Sequence, residues 1–232
     1  AAGYETGALS QNYMVGYREG DGYRDHGATS RFSISGKWGF AITPDIKIGA
    51  IARYFEADGQ EAGYLSFTDS RTDPRMTNAY NATDGGKRNA QQYVVSFDAA
   101  FNDSLDFTAL GFMNTLDDDR FVKFSAGTSQ QRRQAIETHK GVSGALHWHG
   151  LGALPIMVEI GGNMEWQDNK SRRWLSVNRT PTSQTRDQKF DLNVGGVYAQ
   201  LILQPTAWLK ITPAYRIDWV GGDFTNRLNN TT

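Results

Sequence analysis

The sequence predicts an all-β chain, the wall of an antiparallel transmembrane β-barrel, with residues 1–232 forming about nine strands of a larger barrel. Three observations carry this. Apolar and polar residues alternate with a period of two in segment after segment. Short connections alternate with long polar ones. Aromatic residues collect beside the short connections.

The alternation is explicit in five places. In 31–42, Phe32, Ile34, Trp38, Phe40 and Ile42 share one face while Arg31, Ser33, Ser35 and Lys37 share the other. In 91–102, Tyr93, Val95, Phe97, Ala99 and Phe101 stand against Gln92, Ser96, Asp98 and Ala100. In 135–149, Ile136, Val142, Leu146 and Trp148 oppose Glu137, His139, Ser143, His147 and His149. In 155–167, Ile156, Val158, Ile160, Met164 and Trp166 oppose Glu159, Asn163, Glu165 and Gln167. In 208–219, Leu209, Ile211, Pro213, Tyr215, Ile217 and Trp219 oppose Lys210, Thr212, Arg216 and Asp218. Segments 46–57, 105–116 and 188–203 alternate less cleanly, and 9–18 reads as a first strand. Such strands have one greasy and one polar side. Phe32, Ile34, Phe97, Val158, Ile160 and Ile211 are expected to face lipid, and Lys37, Asp98, Glu159 and Arg216 the lumen.

Short turns are expected at Thr43-Pro44-Asp45, Asn102-Asp103-Ser104, Gly150 to Pro155 and Gln204-Pro205-Thr206. Between them lie polar stretches at about 19–28, 58–90, 117–134 and 168–187, read as extracellular loops. This is the layout of outer-membrane barrels, whereas loops of that length are uncommon in a soluble sandwich. Trp38, Phe40, Phe101, Phe107, Trp148 and Trp208 flank the short turns, as an interfacial aromatic girdle would. No stretch approaches the roughly 18 apolar residues of a membrane helix. The mean hydropathy of −0.54 fits a barrel, whose alternating signal averages away.

Composition narrows the function. With 24 basic and 25 acidic residues the net charge is −1, which offers no bulk attraction to nucleic acid. The absence of cysteine removes disulfides, thiolate nucleophiles and thiolate metal sites. No Ser/His/Asp set has motif context and no glycine-rich loop opens a helix, so no enzyme, cofactor or resident metal is expected. Nine is an odd strand count, while single-chain bacterial barrels close with even numbers, and both chain ends read as cut. The expectation is therefore part of a larger barrel.

Two patches resemble a known family. Residues 196–218 read Gly-Val-Tyr-Ala-Gln, then Gln-Pro-Thr-Ala-Trp-Leu-Lys-Ile-Thr-Pro-Ala-Tyr-Arg-Ile-Asp. They are similar to a mid-barrel hairpin of TonB-dependent outer-membrane receptors, with Ala214 where the family usually carries Gly. Gly20-Asp21-Gly22-Tyr23-Arg24-Asp25-His26, followed by Ala28-Thr29-Ser30-Arg31, resembles an early loop of ferric-citrate and related siderophore receptors; Gly63-Tyr64-Leu65-Ser66 points the same way. The resemblance implies uptake of an iron chelate across the outer membrane of a Gram-negative bacterium. It also implies a plug domain and a segment contacting the TonB energy-transducing protein, both outside this chain. A passive porin-like channel and an adhesion barrel remain as other readings.

Four features have residue types that could carry chemistry. Gly221-Gly222-Asp223-Phe224 spells the diguanylate cyclase signature but lacks the helical context that motif needs. His147 and His149 share a strand face and could reach one metal, or could be ordinary lumen residues. Asp117-Asp118-Asp119 could hold a hard cation or form a solvated acidic loop. Residues 168–189 carry six cations, Lys170, Arg172, Arg173, Arg179, Arg186 and Lys189, against two carboxylates, Asp168 and Asp187, for +4. That segment suits either an anionic chelate or lipopolysaccharide. Arginine forks match carboxylates bidentately. With the resemblance, this selects Arg71, Arg75 and Arg88 in the earlier long loop and Arg172 and Arg173 in the later one as ligand contacts. Arg24 is a weaker candidate that could pin its loop by a local ion pair.

Overall fold

The chain makes one antiparallel sheet, a partial β-barrel wall, in which each strand pairs with the next along the sequence up to the ninth. The computed structural model describes residues 1–150 and 155–228. The strands are β1 (Ala2–Thr6), β2 (Leu9–Gly20), β3 (Thr29–Thr43), β4 (Ile46–Gln60), β5 (Gly85–Asn102), β6 (Leu105–Val122), β7 (Gln130–His149), β8 (Ile156–Val177), β9 (Thr180–Thr206), β10 (Leu209–Ile211) and β11 (Ala214–Asn226). Both β10 and β11 pair with β9. Every strand expected from the alternation is present. The count is eleven rather than nine for two reasons. β1 is too short to show alternation, and the expected 208–219 strand divides at Thr212-Pro213, where proline has no N–H for the ladder. The Gly150–Pro155 turn falls largely on 151–154, outside the described residues, as do Asn229–Thr232.

Register decides the faces, because directly opposed residues point the same way. Lys37 opposes Ile51, Lys47 opposes Asp98, Asp98 opposes Thr108, and Asp106 opposes His147. His147 opposes Glu159, Glu159 opposes Gln200, and Tyr198 opposes Arg216. Stepping in twos between these pairs places Lys37, Asp98, Glu159 and Arg216 on one face. Phe32, Ile34, Phe97, Val158, Ile160 and Ile211 fall on the other. No second layer covers that apolar face among the described residues. Among the described residues the buried hydrophobic ones are Ala99, Val122 and Ala145, while Val95 and Ile160 are 61% and 57% exposed. An apolar face of this extent calls for a hydrocarbon surrounding.

The expected loop boundaries need correcting on one side of the sheet. Residues 168–177 and 180–187 are strand, joined by a two-residue turn at Asn178-Arg179. Their φ of 47° and 65° is the positive-φ pair of a type I′ hairpin. Most of 117–134 is strand as well, leaving 123–129 as the connection, and the longest loop shortens to 61–84. Crossing the apolar layer takes about 9–11 residues, whereas β7, β8 and β9 have 20, 22 and 27. Beyond the membrane both strand faces can be polar, so the apolar alternation fades while the hydrogen-bond ladder continues. Asp117-Asp118-Asp119 is therefore strand and not loop; Asp118 binds Arg88 at 3.0 Å and Asp119 binds Arg132 at 2.5 Å. Gly221–Phe224 lies within β11, paired with β9.

Candidate functional site

The strand surplus forms a wall at the loop end of the lumen face, and charge concentrates there. Arg120 of β6 directly opposes Arg133 of β7, Arg133 opposes Arg173 of β8, and Arg173 opposes Arg186 of β9. Four guanidinium side chains thus form one row across four strands, with rungs about 4.8 Å apart. Like charges set directly opposite one another are destabilising. Glu61, at the start of the long loop, relieves Arg120: Nε and Nη2 donate to its two carboxylate oxygens at 2.6 and 2.5 Å. Arg133 donates to Gln131 at 3.1 and 3.0 Å and lies 4.8 Å over the Phe124 ring. Among the described residues no carboxylate stands within 4.0 Å of Arg133, Arg173 or Arg186.

The row borders two open clefts. One of about 510 Å³ is lined by Arg31, Gly59, Glu61, Gly86, Arg88 and Arg120. The other, about 240 Å³, runs along Arg120, Arg133 and Arg173. At Gly86 the strands β5 and β6 run so close that a Cβ would stand 2.7 Å from the Asp119 carbonyl oxygen.

The loop 61–84 is tied down beside the row. Arg24 donates to the carbonyls of Gly63, Ala62 and Met76 at 2.5, 3.1 and 2.7 Å. The Asp25 amide donates to the Arg75 carbonyl at 2.8 Å, and Thr77 donates to the Asp25 carbonyl. His26 Nε2 lies 2.6 Å from the Asp84 carbonyl. Asn81 and Asp84 are fully buried. The Asp84 carboxylate accepts from Asn81 Nδ2 at 2.8 Å, from the Lys123 amide at 2.7 Å and from Gln130 Nε2 at 2.8 Å. Arg179 donates to the Thr83 carbonyl at 2.9 Å, so the β8–β9 turn clamps the same loop. Gly63, at φ 67°, passes so close to Asn81 that a Cβ would clash with its amide. The tip, 64–78, carries a short helix α1 (Phe67–Thr72) capped by the Ser66 hydroxyl and burying nothing.

The six sequence-selected arginines therefore part company. Arg88 and Arg173 lie on the lumen face. Arg172 faces the opposite way, 3.5 Å from Asp187, because adjacent strand residues point to opposite sides. Arg71 and Arg75 are exposed on the loop, over the rings of Phe67 and Tyr23 at 5.0 and 5.7 Å. Arg24 braces the loop through three carbonyls rather than by an ion pair. Sequence reading missed Arg120 and Arg133, and counted Arg186 in the basic 168–189 segment without selecting it as a contact. Carrying the period of two beyond the apolar band, from Leu116 through 118 to 120 and from Glu137 back through 135 to 133, would have placed the first two on this face.

At the other end of the lumen face His147 and His149 converge on the two oxygens of Asp106, at 2.6 and 2.7 Å. Glu159 there accepts from Tyr198 at 2.5 Å and Gln200 at 2.6 Å. Among the described residues no three His, Cys, Asp or Glu side chains stand where they could hold a metal ion.

No family model and no curated protein sequence matches the chain. Solved structures do match in fold. The ferric citrate transporter FecA, in its unliganded form, superposes with a TM-score of 0.86 at 16% identity, over 97% of this chain and 34% of that one. The ferric-catecholate import receptor Fiu of E. coli K12 gives 0.71 at 12%, over 97% and 42%. FpvA of P. aeruginosa, bound to heterologous pyoverdines, gives 0.77 at 11%, over 95% and 35%. The chain spans 34–42% of these proteins' lengths. In fold the chain is similar to the barrel portion of TonB-dependent receptors, as its hairpin and early-loop motifs implied.

Proposed function

We propose that this chain is part of an outer-membrane receptor for TonB-dependent uptake of an iron chelate, a ferric siderophore or ferric citrate. The carrying observation is the combination of an uncovered apolar face with a polar lumen face that ends in arginines at the loop side. Ferric chelates such as ferric citrate are anionic, and the surface that meets them first is cationic. The similarity to barrels of ferric-chelate receptors supports the same reading. Arg88 and Arg173 bind the chelate from the wall, with Arg71 and Arg75 at the mouth and Arg24 holding the loop that carries them. Arg172, with Lys170 and Lys189, belongs to the outward face, where the partner is lipopolysaccharide. TonB engages segments outside this chain.

A charge-assisted hydrogen bond contributes about 1.5–3 kcal/mol. Arg88→Ala or Arg173→Ala in the intact receptor should thus weaken binding of the transported chelate about tenfold or more, while Arg172→Ala leaves it within about twofold. The measurement is radioiron uptake and chelate titration in a Gram-negative host lacking its own receptors, with and without TonB. Chelate-dependent uptake that disappears without TonB supports the receptor. Solute flux indifferent to TonB would favour the passive channel instead.

A further inference from the structure

We propose that the lumen face of β2, β3 and β4 is a docking surface for a protein domain seated inside the barrel, and that the face this domain turns to the wall is acidic. The inference goes beyond the receptor reading. It names the wall that carries the occupant and the charge that holds it, and it does not depend on which solute is transported.

Register brings five cations to this wall. Arg31 and Lys37 lie on the lumen face of β3, and Arg18 directly opposes Arg31. Arg53 opposes Ser35 and Gln92, and Lys47 opposes Ala41 and Asp98. At about 3.3 Å per residue they spread over about 33 Å of strand, from the mouth towards the floor. Taken in twos, the lumen positions 10–18 of β2, 31–41 of β3 and 47–59 of β4 hold no carboxylate. All five cations are exposed, and among the described residues none stands within 4.0 Å of a carboxylate. This holds although Asp98 is directly opposite Lys47 and Glu5 lines the same cleft as Lys37.

Elsewhere on the lumen face the carboxylates have partners within the wall. Asp118 has Arg88, Asp106 has His147 and His149, Glu159 has Tyr198 and Gln200, and Asp218 has Arg216. Only the β2–β4 wall keeps a run of one sign unmatched, with Arg18 set against Arg31 where like charges repel. An acidic partner removes that repulsion, and complementary charge fixes the orientation in which it is held. Apolar side chains on the same wall argue for a solid occupant. Met14 of β2 is 49% exposed, Phe55 opposes Ser33, and Ile51 opposes Lys37 in a row that continues through Val94 and Phe112. A water-filled barrel interior is polar, whereas protein interfaces combine apolar side chains with arginine. A small anion reaches one or two of these cations. Only a domain reaches all five.

The test uses the intact receptor in detergent, without added chelate. A water-soluble acetylating reagent maps access to amines, and a carbodiimide, which joins an amine to a carboxylate touching it, maps partners. Both are read by peptide mass spectrometry. Lys37 and Lys47 should be acetylated at least about tenfold more slowly than Lys87, which lies on the outward face with its side chain 73% exposed. Carbodiimide should join Lys37 or Lys47 to Asp or Glu side chains outside residues 1–232. R18E/R53E should raise acetylation of both lysines about tenfold, by setting carboxylates against the acidic face. R18K/R53K keeps the charge and should behave as the wild type. If R18E/R53E fails to assemble, the wild-type labelling decides alone. Acetylation of Lys37 and Lys47 at the rate of Lys87 would overturn the proposal. So would joints confined to carboxylates of this chain, such as Glu5 or Asp98. Protection that appears only on adding ferric citrate would assign the wall to a small anion and also refute the docked domain. The outcomes separate the two readings. TonB-dependent uptake alongside freely acetylated Lys37 and Lys47 keeps the receptor and refutes the seat. Protected lysines joined to outside carboxylates, in a protein that takes up no chelate, keep the seat and refute the receptor.

Discussion

Asp84→Ala should free the long loop while leaving the barrel wall folded. The Asp84 carboxylate is fully buried and gathers three donors: Asn81 Nδ2 from its own loop, and the Lys123 amide and Gln130 Nε2 from the two ends of the β6–β7 connection. Removing it strands the Lys123 N–H and one N–H each of Asn81 and Gln130, whose second N–H keeps the Lys123 carbonyl and Thr83 Oγ1 respectively, at about 1–3 kcal/mol per stranded N–H before relaxation. With three N–H groups stranded, the loss sums to about 3 kcal/mol at the lower bound. The loss falls on residues 61–84 and 123–130, because strand pairing elsewhere does not pass through Asp84. At about 1.4 kcal/mol per factor of ten, local opening should rise at least a hundredfold. Hydrogen exchange of 61–84 in the intact receptor measures this. Trypsin gives a second readout, since Arg71 and Arg75 sit exposed at the loop tip and should be cut much faster in the variant. Unchanged exchange and proteolysis would mean that other ties hold the loop without Asp84. The same variant should weaken any ligand contact made by Arg71 or Arg75, through lost positioning.

Val95→Arg should destabilise the barrel by about 2–4 kcal/mol, the cost of a guanidinium near the middle of a lipid-facing band. Val95 lies on the outward face of β5, 61% exposed, between Ala50 and Gly111 on the flanking strands. These small neighbours provide no acid and no polar shelf. Thr108→Arg is the matched control: it stands on the lumen face, opposite Asp98, where water and a carboxylate receive the charge. Its effect should stay within about 0.5 kcal/mol. Denaturant unfolding of the intact receptor refolded into lipid vesicles measures both. If Thr108→Arg proved the costly one, the two faces would be reversed throughout, because a one-residue slip exchanges every side chain between them.

The antiparallel strands, the face each side chain takes and the tight turns at Asp45 and Asp103 were legible in the residues. Alternation has a period set by the strand itself, and within the membrane one face must be apolar. Phe97 against Asp98 and Val158 against Glu159 needed no tertiary information. That legibility ended at the edge of the apolar layer. Above it both faces are polar, so 168–187 looks like loop in composition although it is the outer half of the longest hairpin. The division of Arg172 from Arg173 was hidden for the same reason.

Other features belong to the tertiary structure alone. Asp84, Lys123 and Gln130 meet because the 61–84 loop folds onto the 123–129 connection, and no local pattern links them. The arginine row exists because the registers of β6, β7, β8 and β9 bring residues 120, 133, 173 and 186 into line. Period and polarity are properties of one strand and are written in its sequence. A row across strands depends on the stagger between them, which turns and ladder hydrogen bonds set together only when the sheet has formed.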